Sequence, residues 1–127
     1  MRFRPAPLPQ WEVIDLKEVA PTPMYYDDDD DLQISRVAPH EVMGTYTFDV
    51  SGHLPLGDAV KHSRAKFMEE ISKQGGYNFL VLEGWSITVM RKKNARRLQV
   101  RYYAHPAIAL GGQQTRTPPF LALLDNP

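Results

Sequence analysis

Between residues 42 and 50 the chain alternates with a period of two. Val42, Gly44, Tyr46, Phe48 and Val50 fall on one face, and Met43, Thr45, Thr47 and Asp49 on the other. That pattern predicts a half-buried strand. Ser51-Gly52-His53-Leu54-Pro55 breaks it, and the period then lengthens: Leu56, Val60, Ser63, Phe67 and Ile71 recur three or four apart, with Ala59 and Met68 beside them. This spacing places one apolar stripe on a helix over 56–74. Asp58 stands near its start, where a carboxylate can meet free amides, and Gly75-Gly76 supplies the stop.

Tyr77 to Met90 is apolar and β-branched, with Phe79, Val81 and Glu83 alternating against Leu80 and Leu82. Gly84 marks a bulge or bend that lets Trp85, Ile87 and Val89 continue the strand. After a polar turn over 91–97, Leu98, Val100, Tyr102 and Ala104 alternate against Arg97, Gln99, Arg101 and Tyr103, which completes a hairpin that His105-Pro106 is expected to end. The two ends of the chain read differently. Three prolines in the first nine residues, then Pro21 and Pro23, bias the chain toward extended structure, and Trp11 to Val19 alternates only roughly, as a short strand or a docking segment would. Asp27, Asp28, Asp29, Asp30 and Asp31 form an acidic run, expected either as a solvated loop or as a recognition arm.

The fold class expected is α+β: a βαββ unit over 42–105 with one amphipathic helix on a small antiparallel sheet, an extended Pro-rich and acidic arm over 1–41, and a Gly/Pro-rich tail over 106–127 carrying the apolar segment Phe120 to Leu124. The last strand should lie centrally and the long second strand at an edge. An edge strand apolar on both faces invites pairing with another chain, and a unit of about 65 residues is marginal alone. Self-association follows, with Phe79, Val81, Trp85, Ile87 and Val89, joined by Phe120 and Leu123 of the tail, as the expected oligomer interface.

The order and lengths of these elements resemble dodecin, a small flavin-storing strand-helix-strand-strand protein. The helix exit Gly76-Tyr77-Asn78-Phe79-Leu80-Val81 is similar to the Gly-x-Asn-apolar step of a bacterial family of small pentamers described as heavy-metal-binding. The resemblance spans residues 42–105. It implies a ring or shell of protomers and leaves the ligand open.

Charge sharpens the picture. The formal net charge of the 127 residues is zero, but residues 1–60 hold 4 Lys/Arg against 11 Asp/Glu and residues 61–127 hold 11 against 4. One half can neutralise the other, within a chain or between copies. Arg91, Lys92, Lys93, Arg96, Arg97 and Arg101 crowd the hairpin tip, with Tyr102 and Tyr103 beside them. Such a surface can meet phosphates and stack bases, can be solvated charge that protects a sheet end, or can pair with the aspartate run.

The absence of cysteine excludes disulfides, thiolate metal sites and thiol nucleophiles. With no apolar leader and no run of 18 apolar residues, the sequence reads as soluble and intracellular, with the cytoplasm as the expected compartment. His40, His53, His62 and His105 make no metal-binding pattern, although His53 and His62 could meet Asp49 or Asp58 if the fold brought them together. Ser51, Ser63, Ser72 and Ser86 sit in no nucleophile elbow. Glu83, His105 and Asp49 are the acid–base candidates, against which stands the plainer reading of an exposed carboxylate and a strand-end histidine. No catalytic residue, metal or cofactor is assigned. The leading expectation is a non-enzymatic, self-associating binding or scaffolding module. A nucleic-acid-binding hairpin is second, and a small hydrolase or isomerase third.

Overall fold

The computed structural model describes residues 10–22, 33–53, 55–110, 118 and 124. Five strands and one helix follow in the order β1 (Glu12–Thr22), β2 (Gln33–Val37), β3 (Val42–Val50), α1 (Leu56–Gly75), β4 (Phe79–Lys92) and β5 (Ala95–Leu110). All pairings are antiparallel: β1 with β4, β4 with β5, and both β3 and β2 along the other side of β5. The chain is therefore α+β, and the last strand is central.

The sheet has five strands where the expected βαββ unit supplies three, because β1 and β2 fall within the segment read as an arm and β5 runs past 105. This corrects the expected edge. From Glu83 to Arg91 β4 is paired on both sides, by β1 and by β5; Trp85, Ile87 and Val89 are buried within the chain itself, as is Phe79 against Ala107 and Ala109, with Val81 partly so. The strands at the borders of the described sheet are β1 on one side and β2 with β3 on the other. Asp27 to Asp31, Phe120 and Leu123 lie outside the described residues. Leu124, at the end of the apolar tail segment, packs against the main core.

The core sits between α1 and the sheet. Ala59, Val60, Phe67 and Ile71 of the helix stripe meet Trp85, Ile87 and Val89 of β4 and Leu98, Val100, Tyr102 and Ala104 of β5. Each large side chain fully withdrawn from water contributes roughly 1.5–3 kcal/mol. The helix begins after Pro55 with no side-chain cap and ends where Gly76 adopts φ 71°, a left-handed conformation that glycine takes without a Cβ clash, returning its N–H to the Ser72 carbonyl at 3.0 Å. A second, smaller cluster joins Phe79, Ala107 and Ala109, with Val81 against it. By strand alternation it lies on the face away from the helix.

One extra residue in β4 links the two faces. Val81 pairs with His105 and Gly84 with Tyr103, so three steps on β4 match two on β5. The positive φ of this bulge falls on Leu82, at 52°. Gly84 serves a different need: a Cβ there would stand 2.6 Å from the Pro21 nitrogen and 2.7 Å from the Val19 carbonyl oxygen. β1 lies directly across it. Pro106 does not end β5, because it falls between the stretch of β5 paired with β3 and the stretch paired with β2. No ladder partner requires its missing N–H there, while its carbonyl accepts the Ala38 N–H at 2.7 Å.

Candidate functional site

Four places among the described residues bear on function. The first is inside. The bulge turns Glu83 away from Phe79 and Val81 and onto the helix side, where it is fully buried. Arg64 Nε donates to its Oε1 at 2.6 Å and Arg64 Nη2 to its Oε2 at 3.4 Å, and the Tyr102 hydroxyl donates to Oε1 at 2.6 Å. Burial, then the adjacent Glu83 charge and hydrogen bond, push the Tyr102 phenol far above its usual range. Burial pulls against the Arg64 charge, but Glu83 more than offsets it and holds the guanidinium above its ordinary value. The expected exposed carboxylate at 83 is thus a structural anchor joining α1, β4 and β5.

This placement also separates the acid–base candidates. Glu83 faces the helix, whereas Asp49 and His105 point to the opposite side of the sheet by strand alternation. His105 Nδ1 lies 3.2 Å from the Ala38 carbonyl oxygen. Asp49 takes a two-point contact from Arg97, Nε at 2.7 Å and Nη2 at 3.4 Å, and the Arg97 hydrogen bond holds the Asp49 carboxyl below its usual value. The three residues do not converge.

The second place is the hairpin end. Arg97, besides meeting Asp49, stands 4.2 Å from the ring centroid of Trp11, and the Lys92 ammonium lies 5.9 Å from the same ring. Arg91 Nη2 meets Glu12 Oε1 at 3.1 Å. Strands β1 and β3 therefore supply carboxylates to two of the six clustered cations. Lys93 occupies the tight turn with φ 56°, and Arg96 and Arg101 meet no carboxylate among the described residues. Tyr103 is held by Ser86, the two hydroxyls 3.0 Å apart.

The third is a cleft of about 550 Å³ between the end of β3 and the start of α1. Phe48, Val50, Ala59 and Leu98 give it an apolar floor, and Asp49, His53, Asp58 and His62 stand around it. The fold does bring these four to one cleft. They do not form a ligand set: among the described residues no three His, Asp or Glu side chains gather closely enough to hold a metal ion. His62 meets the Phe48 ring edge-on at 5.7 Å, and Asp49 is turned to Arg97.

The fourth is the outer edge of β1, which borders the described sheet and which hydrophobic periodicity alone leaves hidden. Val13 is 60% exposed and Leu16 56%. The Leu16 N–H bonds to the neighbouring Asp15 Oδ1 at 2.9 Å, so it points outward and takes no part in the ladder with β4. Asp15 Oδ2 also lies 3.8 Å from Lys17 Nζ. The signal in sequence is faint: Val13, Ile14 and Leu16 are three apolar residues within four positions, and the extra residue between Val13 and Asp15 destroys the two-residue rhythm by which a strand is recognised.

No helix among the described residues is long and apolar enough to cross a membrane. In comparisons with known proteins, no family model, no curated protein and no solved structure matches this chain.

Proposed function

We propose that this chain is a non-enzymatic, self-associating module that acts by binding or scaffolding. The observation carrying the reading is the β1 edge. Eleven residues of strand border the described sheet, with apolar side chains in water and an outward N–H bonded to its neighbour's exposed carboxylate. Sheet edges of this kind pair with further strands unless something blunts them. The burial of Glu83 in a closed Arg64–Glu83–Tyr102 network and its separation from His105 and Asp49 weigh against the acid–base reading. The ring or shell implied by the dodecin-like resemblance would form most readily on a border strand, β1, β2 or β3, since β4 is paired on both sides from Glu83 to Arg91.

Native mass spectrometry of the freshly purified chain tests this proposal, because it reports subunit count and any retained ligand together. Multiples of 14.5 kDa at about 100 μM, a concentration suited to a small and therefore weak interface, are expected. A chain that stays monomeric there contradicts it.

A second reading, single-stranded nucleic-acid binding at the hairpin, is favoured by one observation: Trp11 lies among Lys92 and Arg97, with Arg96 and Arg101 close in sequence. Its test is a low-salt titration of wild type and of a chain with Asp27 to Asp31 changed to Asn. Binding that appears or strengthens in the variant and falls with salt supports it, and no binding by either form removes it.

A further inference from the structure

We propose that two copies of this chain pair antiparallel along β1 about a two-fold axis beside Leu16, so that Asp15 of each copy faces Lys17 of the other. The inference rests on the self-association reading and names its interface. Three observations converge on this register.

The first is the direction of the backbone. The Leu16 N–H points to the open edge, since its acceptor is the Asp15 side chain and not a β4 carbonyl. In an antiparallel pair, residues whose N–H and C=O face the partner exchange two hydrogen bonds. A two-fold axis at Leu16 sets this residue opposite its own copy in such a pair.

The second is charge. Asp15 and Lys17 flank Leu16 and sit in the regular part of β1, where Asp15 to Val19 pair without interruption to Val89 to Trp85. A two-fold at Leu16 places each Asp15 opposite Lys17 of the second copy, twice over. Moving the axis one residue earlier puts Asp15 opposite itself, and one residue later puts Lys17 opposite itself. Like charges directly opposed are unfavourable and unlike ones favourable, so the strand selects its own register. Both side chains are about half exposed in the single chain and free to exchange their mutual contact for one across the axis.

The third is apolar exposure. Leu16 would cover Leu16 of the second copy on the sheet face away from the helix, with Val13 nearby. β3, the other long border strand, offers no such pairing: its single charge, Asp49, is held by Arg97. A contact confined to one strand edge buries less than the roughly 1,200 Å² of a standard stable interface. The dimer is accordingly weak and concentration-dependent.

The chain tests this through two charge reversals at exposed positions, Asp15→Lys and Lys17→Asp. Each variant alone opposes like charges across the axis, and its dimerisation should weaken at least about tenfold relative to wild type. Mixed in equal amounts, the two variants restore both unlike pairs, so heterodimer should exceed either homodimer in native mass spectra, where the masses differ. Recovery in the mixture also shows that each variant is folded. In addition, the chain has no cysteine, so a Leu16→Cys variant reports the axis directly. Opposed Cα atoms about 5.5 Å apart lie within disulfide range, and Leu16→Cys should cross-link far faster than a Thr45→Cys control on β3.

Two variants that dimerise as wild type does, a mixture without excess heterodimer, or equal cross-linking at 16 and 45 would overturn the β1 interface while leaving self-association standing. A monomeric wild type would overturn both.

Discussion

Changing Arg64 to Met should be among the most damaging single substitutions in this chain. Glu83 has no solvent exposure, and of the three side-chain hydrogen bonds it accepts among the described residues Arg64 supplies two, at 2.6 and 3.4 Å. Met keeps the unbranched stem as far as the position of Nε and the helix propensity of the site, so the change removes chiefly the charged guanidinium. Removing one partner of a buried ion pair leaves the other uncompensated and costs about 3–5 kcal/mol, against a total stability of roughly 5–15 kcal/mol for an ordinary domain. The compensated chain Arg64→Met/Glu83→Leu/Tyr102→Phe removes every member of the network together. It should lie near wild type or above it, because replacing a buried pair by apolar groups of similar volume is often neutral or stabilising. Urea denaturation of the three proteins decides the matter, read from the midpoints at unchanged slope. A cost below about 1 kcal/mol for Arg64→Met, the range of an exposed ion pair, would mean that Glu83 does not depend on Arg64 for its burial, and a triple variant no more stable than the single one would mean the same.

Three further expectations follow from the geometry. Gly84→Ala should cost about 1–3 kcal/mol, the range of overpacking, and should raise hydrogen exchange in β1 above all, since the new methyl meets the backbone of Val19 and Pro21. In a carboxyl NMR titration Asp49 should titrate below its usual value of 3.8, and Arg97→Gln should bring it back up. Because the folded value is the depressed one, the stabilisation is present at neutral pH and is lost as pH falls through it. Tyr102 should resist ionisation in alkaline absorbance titrations. With its folded value raised, its contribution is intact below pH of about 10 and disappears as pH climbs beyond that, a dependence that Tyr102→Phe should remove.

The helix was legible because Val60, Ser63, Phe67 and Ile71 repeat at its own period and a left-handed glycine stops it, so the expected 56–74 differs from the observed Leu56–Gly75 by one residue. β3 was legible because one of its faces is half-buried against the core and the other is exposed. What escaped were elements whose place depends on distant partners. β2 carries a largely polar pattern over its five residues and becomes a strand by pairing with the continuation of β5. That continuation depends in turn on Pro106 meeting the gap between β2 and β3. Gly84 marked the bulge, yet its effect on Glu83 could not be read from alternation, because one inserted residue reverses the face of everything beyond it. The candidate metal residues were close in space as the sequence allowed, but coordination needs three side chains aimed at one point, and Asp49 is aimed at Arg97.

The exchange rate of the Leu16 amide, measured as a function of protein concentration, reports directly on the edge of β1. Among the described residues this N–H is held by the exposed carboxylate of Asp15, and in the single chain it should exchange quickly. If two copies pair as proposed, its protection should grow with concentration in step with the dimer fraction measured by sedimentation, while the amides of β3 stay unchanged. A Leu16 amide that exchanges equally fast at every concentration, in samples shown to be associated, would contradict the β1 interface.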